Sequence, residues 1–177
     1  EPGEWRVRED LKAAAQKAAV DLEIREDRHF LASHDDFDRF ARDKKQLRME
    51  FFYREMRRKT GLLMKGARPE GGRWNYDADN RGAFPKGGPG EVPSPVSFLP
   101  DAITREVVER VEKRFADHPG SLRHFDWPVT PAQAGKALED FVAHRLYLFG
   151  PFEDALWTGR PWLYHSRLSS SMNLKLL

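Results

Sequence analysis

The sequence predicts a mainly helical fold in two parts, joined by a long connector rich in glycine and proline. Three observations predict it. Apolar residues recur at steps of three and four in several separate segments. Helix-start signals stand at Ser33 and Thr130. Between the helical parts, residues 65–100 hold Gly71-Gly72, Gly87-Gly88, Pro89-Gly90, Pro93, Pro95 and Pro100, a run that no long helix survives.

Taken in order, Pro2-Gly3 precedes an expected helix over about Glu4–Ala19, with Val7, Leu11, Ala14 and Ala18 on one stripe. Val20, Leu22 and Ile24 alternate with acidic residues, which predicts a short strand over Val20–Ile24. Ser33-His34-Asp35-Asp36 has the form of a capping box, with Asp36 in place of the usual glutamate, and the helix it opens carries Phe37 and Phe40. A further helix is expected over about Lys44–Lys59, its broad apolar face made of Leu47, Phe51, Phe52 and Met56, with Gly61 as its stop. In the connector stand Trp74, Tyr76, Phe84 and Phe98; so many large rings imply that it packs against something. From Asp101 to about Phe115, Ile103, Val107 and Val111 form the next stripe. Thr130-Pro131 then opens a helix expected to run to about Leu148, with Leu138, Phe141, Val142 and Leu146 inward and Gly150-Pro151 as its end. An apolar, helix-like stretch closes the chain over Met172–Leu177.

The composition sets limits. At 177 residues, with 40% hydrophobic and 12% aromatic residues, the chain is folded material with a core. It has no cysteine, which excludes disulfides and thiolate-held zinc or iron–sulfur clusters within these residues. No long apolar run and no basic-then-apolar leader is present, so a cytoplasmic location is expected. Glu1 rather than Met begins the chain and Leu177 falls inside a helix-like pattern, so the stretch reads as cut from a longer protein. The formal net charge is only +2, but Lys44–Thr60 holds seven basic residues against Glu50 and Glu55. Such a segment suits a polyanion, or simply a solvated helix face.

Candidate chemistry is sparse. The six histidines (29, 34, 118, 124, 144, 165) lack metal-ligand spacing, and no phosphate-binding glycine loop or nucleophile elbow is present. Ser166, Ser169, Ser170 and Ser171 form one hydroxyl cluster beside a helix start, where hydroxyls and free backbone N–H groups can meet a phosphate. Plain N-capping, which needs one serine, is the simpler reading on pattern alone. Trp74-Asn75-Tyr76-Asp77, with Arg73, Asn80 and Arg81, could meet nucleic acid bases and phosphates, or anchor the loop to its own protein.

Several segments together resemble one family, the deoxyribodipyrimidine photolyase-related proteins, which include iron–sulfur bacterial cryptochromes and bacterial (6-4) photolyases. The resemblance is carried in order by Glu1-Pro2-Gly3-Glu4-Trp5-Arg6-Val7, Arg28-His29-Phe30-Leu31 and Lys44-Lys45-Gln46-Leu47-Arg48-Met49-Glu50 with Phe52-Tyr53-Arg54. It continues through residues 71–81, then Phe141, Arg145-Leu146, Phe149-Gly150 and Asp154-Ala155, and ends on Tyr164-His165-Ser166-Arg167-Leu168-Ser169. The resemblance implies that residues 1–64 end an α/β antenna-type domain, 65–100 link the domains, and 101–177 open an all-α FAD-binding domain. It implies a flavoprotein that repairs pyrimidine photoproducts in UV-damaged DNA by light-driven electron transfer from FAD. Blue-light signalling by the same fold is the alternative, and a flavin-free helical nucleic-acid-binding module the reading without the resemblance. By the resemblance Ser166, the Leu168 backbone and Ser169 hold the FAD diphosphate, while Arg73, Trp74, Asn75 and Arg81 are candidates for DNA. Where the family continues with proline, an aromatic residue and later glycine, this chain has Ser170, Ser171 and Lys175. No catalytic residue is assigned here; the family's lesion pocket, iron–sulfur cysteines and antenna-chromophore site correspond to sequence outside this stretch. On its own the stretch is expected to lack FAD and activity.

Overall fold

A computed structural model describes residues 5–177. The quoted segment Glu1-Pro2-Gly3-Glu4, with the expected helix start, lies outside them. The described residues are mainly helical, and the chain divides into two compact units, one ending at Trp74 and one formed by Asn75–Leu177.

In the first unit, α1 spans Trp5–Ala18. Its stripe is not a core face: no α1 residue is buried, and Val7 and Leu11 are 38% and 44% exposed. The strand expected over Val20–Ile24 does not form. A strand exists only as one side of a hydrogen-bonded ladder, and no described segment pairs with these residues, which stay irregular with Val20, Leu22 and Ile24 all exposed.

The Ser33 signal is realised in full. α2 spans His34–Ala41; Ser33 Oγ accepts from the Asp36 amide at 3.2 Å, and Asp36 Oδ2 accepts from the Ser33 amide at 3.0 Å. The buried Asp36 carboxylate also takes Lys59 Nζ at 2.5 Å and Arg39 at 3.0 Å. The Lys59 hydrogen bond, then the two Ser33 contacts, hold its pKa far below the usual carboxylate range. One cap residue therefore also ties α2 to α3, which spans Met49–Thr60. Phe40 and Phe52 pack at 5.1 Å and Phe37 meets Phe52 edge-on at 5.5 Å, the apolar centre of this unit.

α3 starts five residues later than expected. Asp43 takes φ 62 and Arg48 is extended (φ −119, ψ 117), so the stretch between α2 and α3 is irregular, with Lys44 Nζ 3.4 Å from the Phe40 ring centroid. Its apolar face is also narrower, since Phe52 is buried while Leu47 and Phe51 stay exposed. Gly61 ends it in the left-handed conformation, φ 74, with its amide on Arg57 O. A two-residue antiparallel pair then forms between β1 (Met64–Lys65) and β2 (Arg68–Pro69), a turn too short for any periodicity to reveal.

In the second unit, α4 spans Ala102–Arg114 and is capped by Asp101, whose carboxylate accepts from Thr104 N at 2.7 Å. Ile103 and Val107 of its expected stripe are exposed, and only Val108 and Val111 are half-buried. α5 spans Pro131–His144 with Thr130 as cap and Pro131 in the first turn, as the sequence predicts. It stops at His144 rather than Leu148, because Arg145 leaves helical geometry (φ −127, ψ −26); a separate turn, α6, covers Leu146–Phe149. The reason is the Arg145 side chain. It is 1% exposed and reaches Asp140 Oδ2 at 2.7 Å and Ser94 O at 3.3 Å. The inward set is consequently Ala134, Phe141 and Arg145, while Leu138, Val142 and Leu146 are exposed.

Residues 75–100 are irregular but seated. Gly82 donates to Pro151 O at 2.8 Å, so close that a Cβ at 82 would lie 2.5 Å from that oxygen. Phe84 stacks on Phe152 with centroids 4.6 Å apart, and Phe152 stacks on Tyr164 at 5.8 Å. The Val96 amide reaches Asp140 Oδ2 at 3.2 Å, and the Phe98 amide reaches Asp126 O at 3.1 Å. Around these contacts Ala155, Leu163, Tyr164 and Leu168 are buried. α7 closes the unit as a single short helix, Ser169–Asn173, instead of the longer Met172–Leu177 end expected; Leu174 caps it and Lys175 takes φ 55. No helix among the described residues is long and apolar enough to cross a membrane.

Candidate functional site

Two groups of predicted residues are set by these elements, one in each unit. In the second unit, the buried Leu163, Tyr164 and Leu168 fix both sides of a turn at His165-Ser166-Arg167. Ser166 Oγ accepts weakly from Leu168 N at 3.3 Å, closing a local side-chain turn that needs φ 60 at Arg167. Ser169 begins α7 and is exposed. The residue at the cap position is Leu168, and no side chain makes a cap hydrogen bond there. Simple N-capping by serine is thus not what these hydroxyls do in this structure.

What remains is a set of donors. The Ser166 hydroxyl accepts one bond and keeps its own hydrogen to donate; the Ser169 hydroxyl is on the surface; and the first amides of α7 have no carbonyl four residues earlier within their own helix. Ser171 Oγ is buried beneath them without a hydrogen-bond partner. The Ser166 and Ser169 hydroxyls and the first amides of α7 can donate to phosphate oxygens, so their donor chemistry fits a diphosphate, while the buried Ser171 hydroxyl is out of reach of one. The five-residue length of α7 means that hydroxyls and amides, rather than a helix dipole, would do the holding.

The second group lies in the first unit, where Trp74 is half-buried at its end. Three guanidinium groups from α3 lie over its indole: Arg58 at 4.6 Å, Arg57 at 5.3 Å and Arg54 at 5.5 Å from the ring centroid. Arg54 is paired with Glu50, and Arg57, buried, caps Leu63 O. Arg58 has no carboxylate partner among the described residues. The i, i+3, i+4 spacing of Arg54, Arg57 and Arg58 is readable in the sequence; that they converge on Trp74 is not. Arg73 is exposed beside this cluster.

Asn75 and Arg81 belong to the other unit. Asn75 turns back on its own loop, with Oδ1 accepting from Asp77 N at 2.7 Å, and Arg81 is exposed. No group of histidine and carboxylate side chains among the described residues could hold a metal ion.

Two comparisons with known proteins bear on these groups. The family described as deoxyribodipyrimidine photo-lyase-related protein matches residues 1–127, which includes α3, Trp74 and the loop to Arg81. Along all 177 residues the chain is 47% identical to a "(6-4) photolyase" of Agrobacterium fabrum, a match that reaches the serine turn. The chain spans 34% of that relative's length.

Proposed function

Because the chain belongs to the deoxyribodipyrimidine photo-lyase-related family, we propose that it is an internal part of a flavin-dependent photolyase that repairs pyrimidine photoproducts in UV-damaged DNA. The observation that carries this reading is the 47% identity sustained across every residue of the chain to a relative named as a (6-4) photolyase. In this reading residues 1–64 end an α/β domain, 65–100 connect, and 101–177 open the flavin-binding domain.

Flavin, when bound, supplies the light-absorbing electron donor. The chain's own residues bind and orient. Ser166 and Ser169 hold the diphosphate through their hydroxyl hydrogens, and the Leu168 amide exchanges its weak 3.3 Å bond to Ser166 Oγ for one to a charged oxygen, which is stronger than a bond between neutral groups. Arg73, Trp74, Asn75 and Arg81, with the α3 arginines, meet the DNA, where guanidinium groups neutralise phosphates and the Trp74 indole holds the α3 arginines in place beside them.

The test uses the intact protein from which this chain comes. It is expected to purify yellow, with flavin absorption, and to restore irradiated DNA under blue light; a correctly folded but colourless protein overturns the reading. Flavin present with no repair leaves the same fold acting in light signalling. The DNA half is checked by salt. Binding should weaken with ionic strength at a slope near 0.9 per phosphate neutralised, so Arg73→Ala and Arg81→Ala should each lower that slope by about 0.9. An unchanged slope with lowered thermal stability would make these residues anchors of their loop.

A further inference from the structure

Arg167 stands between the two serines of the turn, yet its side chain does not serve an anion there. The guanidinium carbon lies 4.2 Å from the ring centroid of Trp127 and 4.2 Å from that of Trp162. The two indoles are 5.9 Å apart at 88°, so the cation is held between rings presented at right angles. Arg167 also donates to Asp126 Oδ1 at 2.8 Å, and its side chain is 8% exposed. Its Nε is buried without a hydrogen-bond partner, so the rings and Asp126 compensate for the water that the charge gives up. Asp126 is itself anchored, since its carbonyl accepts from Phe98 N.

The backbone at this residue points the same way. φ 60 is a conformation that L side chains avoid, and a turn needing only that shape is best served by glycine. Other non-glycine residues of the chain adopt positive φ with exposed side chains, Ala19 and Leu63 among them; Arg167 differs in that its side chain is held on three sides. From this geometry we infer that Arg167 is a positioning residue: the Trp127–Arg167–Trp162 clasp, closed by Asp126, holds the left-handed turn that places Ser166 Oγ on the Leu168 amide and aims Ser169 outward. The inference rests on the reading of Ser166, Leu168 and Ser169 as the diphosphate cradle. It adds a side chain that touches no phosphate, and two tryptophans 35 residues apart in sequence.

Glycine at 167 separates the two roles, because it permits the backbone turn and deletes the clasp. The intact protein is compared with its Arg167→Gly, Arg167→Lys and Asp126→Asn variants. In the flavin-free form, hydrogen exchange of the Leu168 amide and near-UV circular dichroism of the tryptophans are read; flavin affinity is read by titration. Arg167→Gly is expected to speed exchange at Leu168 and to weaken flavin binding about tenfold, the loss of roughly one bond to a charged group. Arg167→Lys, which keeps charge but not the flat stacking surface, should fall between glycine and the original. Asp126→Asn should weaken binding in the same direction, and it gives a readout even if Arg167→Gly does not fold.

Unaltered exchange and unaltered affinity in Arg167→Gly overturn the inference. So does faster exchange with unaltered affinity. Ser169→Ala then tells the failures apart: affinity lost there but kept in Arg167→Gly sinks only the clasp, whereas affinity kept in both sinks the cradle as well.

Discussion

Replacing Asp140 by alanine is expected to destabilise the second unit by about 3 kcal/mol, among the larger effects of any single change in it. Arg145 is 1% exposed, and its guanidinium is met by Asp140 Oδ2 and Ser94 O while its Nε has no hydrogen-bond partner. Removing the carboxylate strands a buried cation and also deprives the Val96 amide of its acceptor. Breaking a buried pair costs about 3–5 kcal/mol, and the low end applies because the Asp140 side chain is 21% exposed and water can partly take its place. Urea unfolding of the intact protein, followed by tryptophan fluorescence, reads the loss. The double change Asp140→Leu with Arg145→Met should recover much of it, since no charge is then stranded. A single variant as stable as the original would show that the pair contributes nothing.

The pair also has a pH signature. Burial works against the Asp140 carboxylate, but the Arg145 hydrogen bond and the Val96 amide outweigh it and hold the group below its ordinary value. A depressed carboxyl contributes stability that is present above its unfolded value, about 3.9, and lost as the pH falls toward the lower folded one. The gap between the original protein and Asp140→Ala should therefore narrow in acid and stay constant at neutral pH.

The second large effect is on flavin. Ser166→Ala and Ser169→Ala are each expected to weaken flavin binding by roughly ten- to a hundredfold in the intact protein, because a bond to a charged group is worth about 1.5–3 kcal/mol. Both together should leave the protein largely colourless. Ser169 is exposed and makes no cap bond, so the flavin-free Ser169→Ala protein should unfold at the original midpoint. Ser166→Ala gives up only the contact with Leu168 N, about 0.5–1.5 kcal/mol. Spectrophotometric titration beside thermal melting separates the two quantities. Flavin held with unaltered affinity by both variants would mean that the cradle lies elsewhere.

What could be read from the sequence, and what could not, follows the range of the interactions. Ser33 with Asp36, Thr130-Pro131 and Gly61 act within four residues, and the structure has each at the end of a helix as expected; the Asp101 cap is equally local but is not among the expected start signals. Periodicity predicted which segments are helical but misjudged which faces are covered. The stripes of α1 and α4 are largely exposed, since burial depends on what packs opposite and not on spacing. The Val20–Ile24 strand failed for the same reason, as alternation does not supply a ladder partner. The end of α5 was misplaced because apolar spacing runs on to Leu148, whereas Arg145 breaks the helix to reach a carboxylate and a carbonyl of the connector. In the candidate site, the serines stood out as neighbours in sequence, while Arg167 between Trp127 and Trp162 could not, because the rings that hold it come from distant segments.

The seating of residues 75–100 bears on how quickly the second unit can form. The contacts that hold this segment join residues far apart in the chain: Asn80 with Glu153 across 73 positions, Arg145 with Ser94 across 51, and Val96 with Asp140 across 44. Each must close a large loop before it returns any stability, which slows folding relative to a unit held by its local helical contacts alone. Its folding rate should be set by docking of this irregular segment rather than by its helices, which form in about a microsecond. Gly82 sharpens the requirement. Its amide reaches Pro151 O with no room for a Cβ, so any side chain at 82 would push the segment off the Gly150-Pro151 corner. An unseated segment would leave Phe84 without the Phe152 ring on which it stacks, and uncovered apolar surface of that kind favours aggregation.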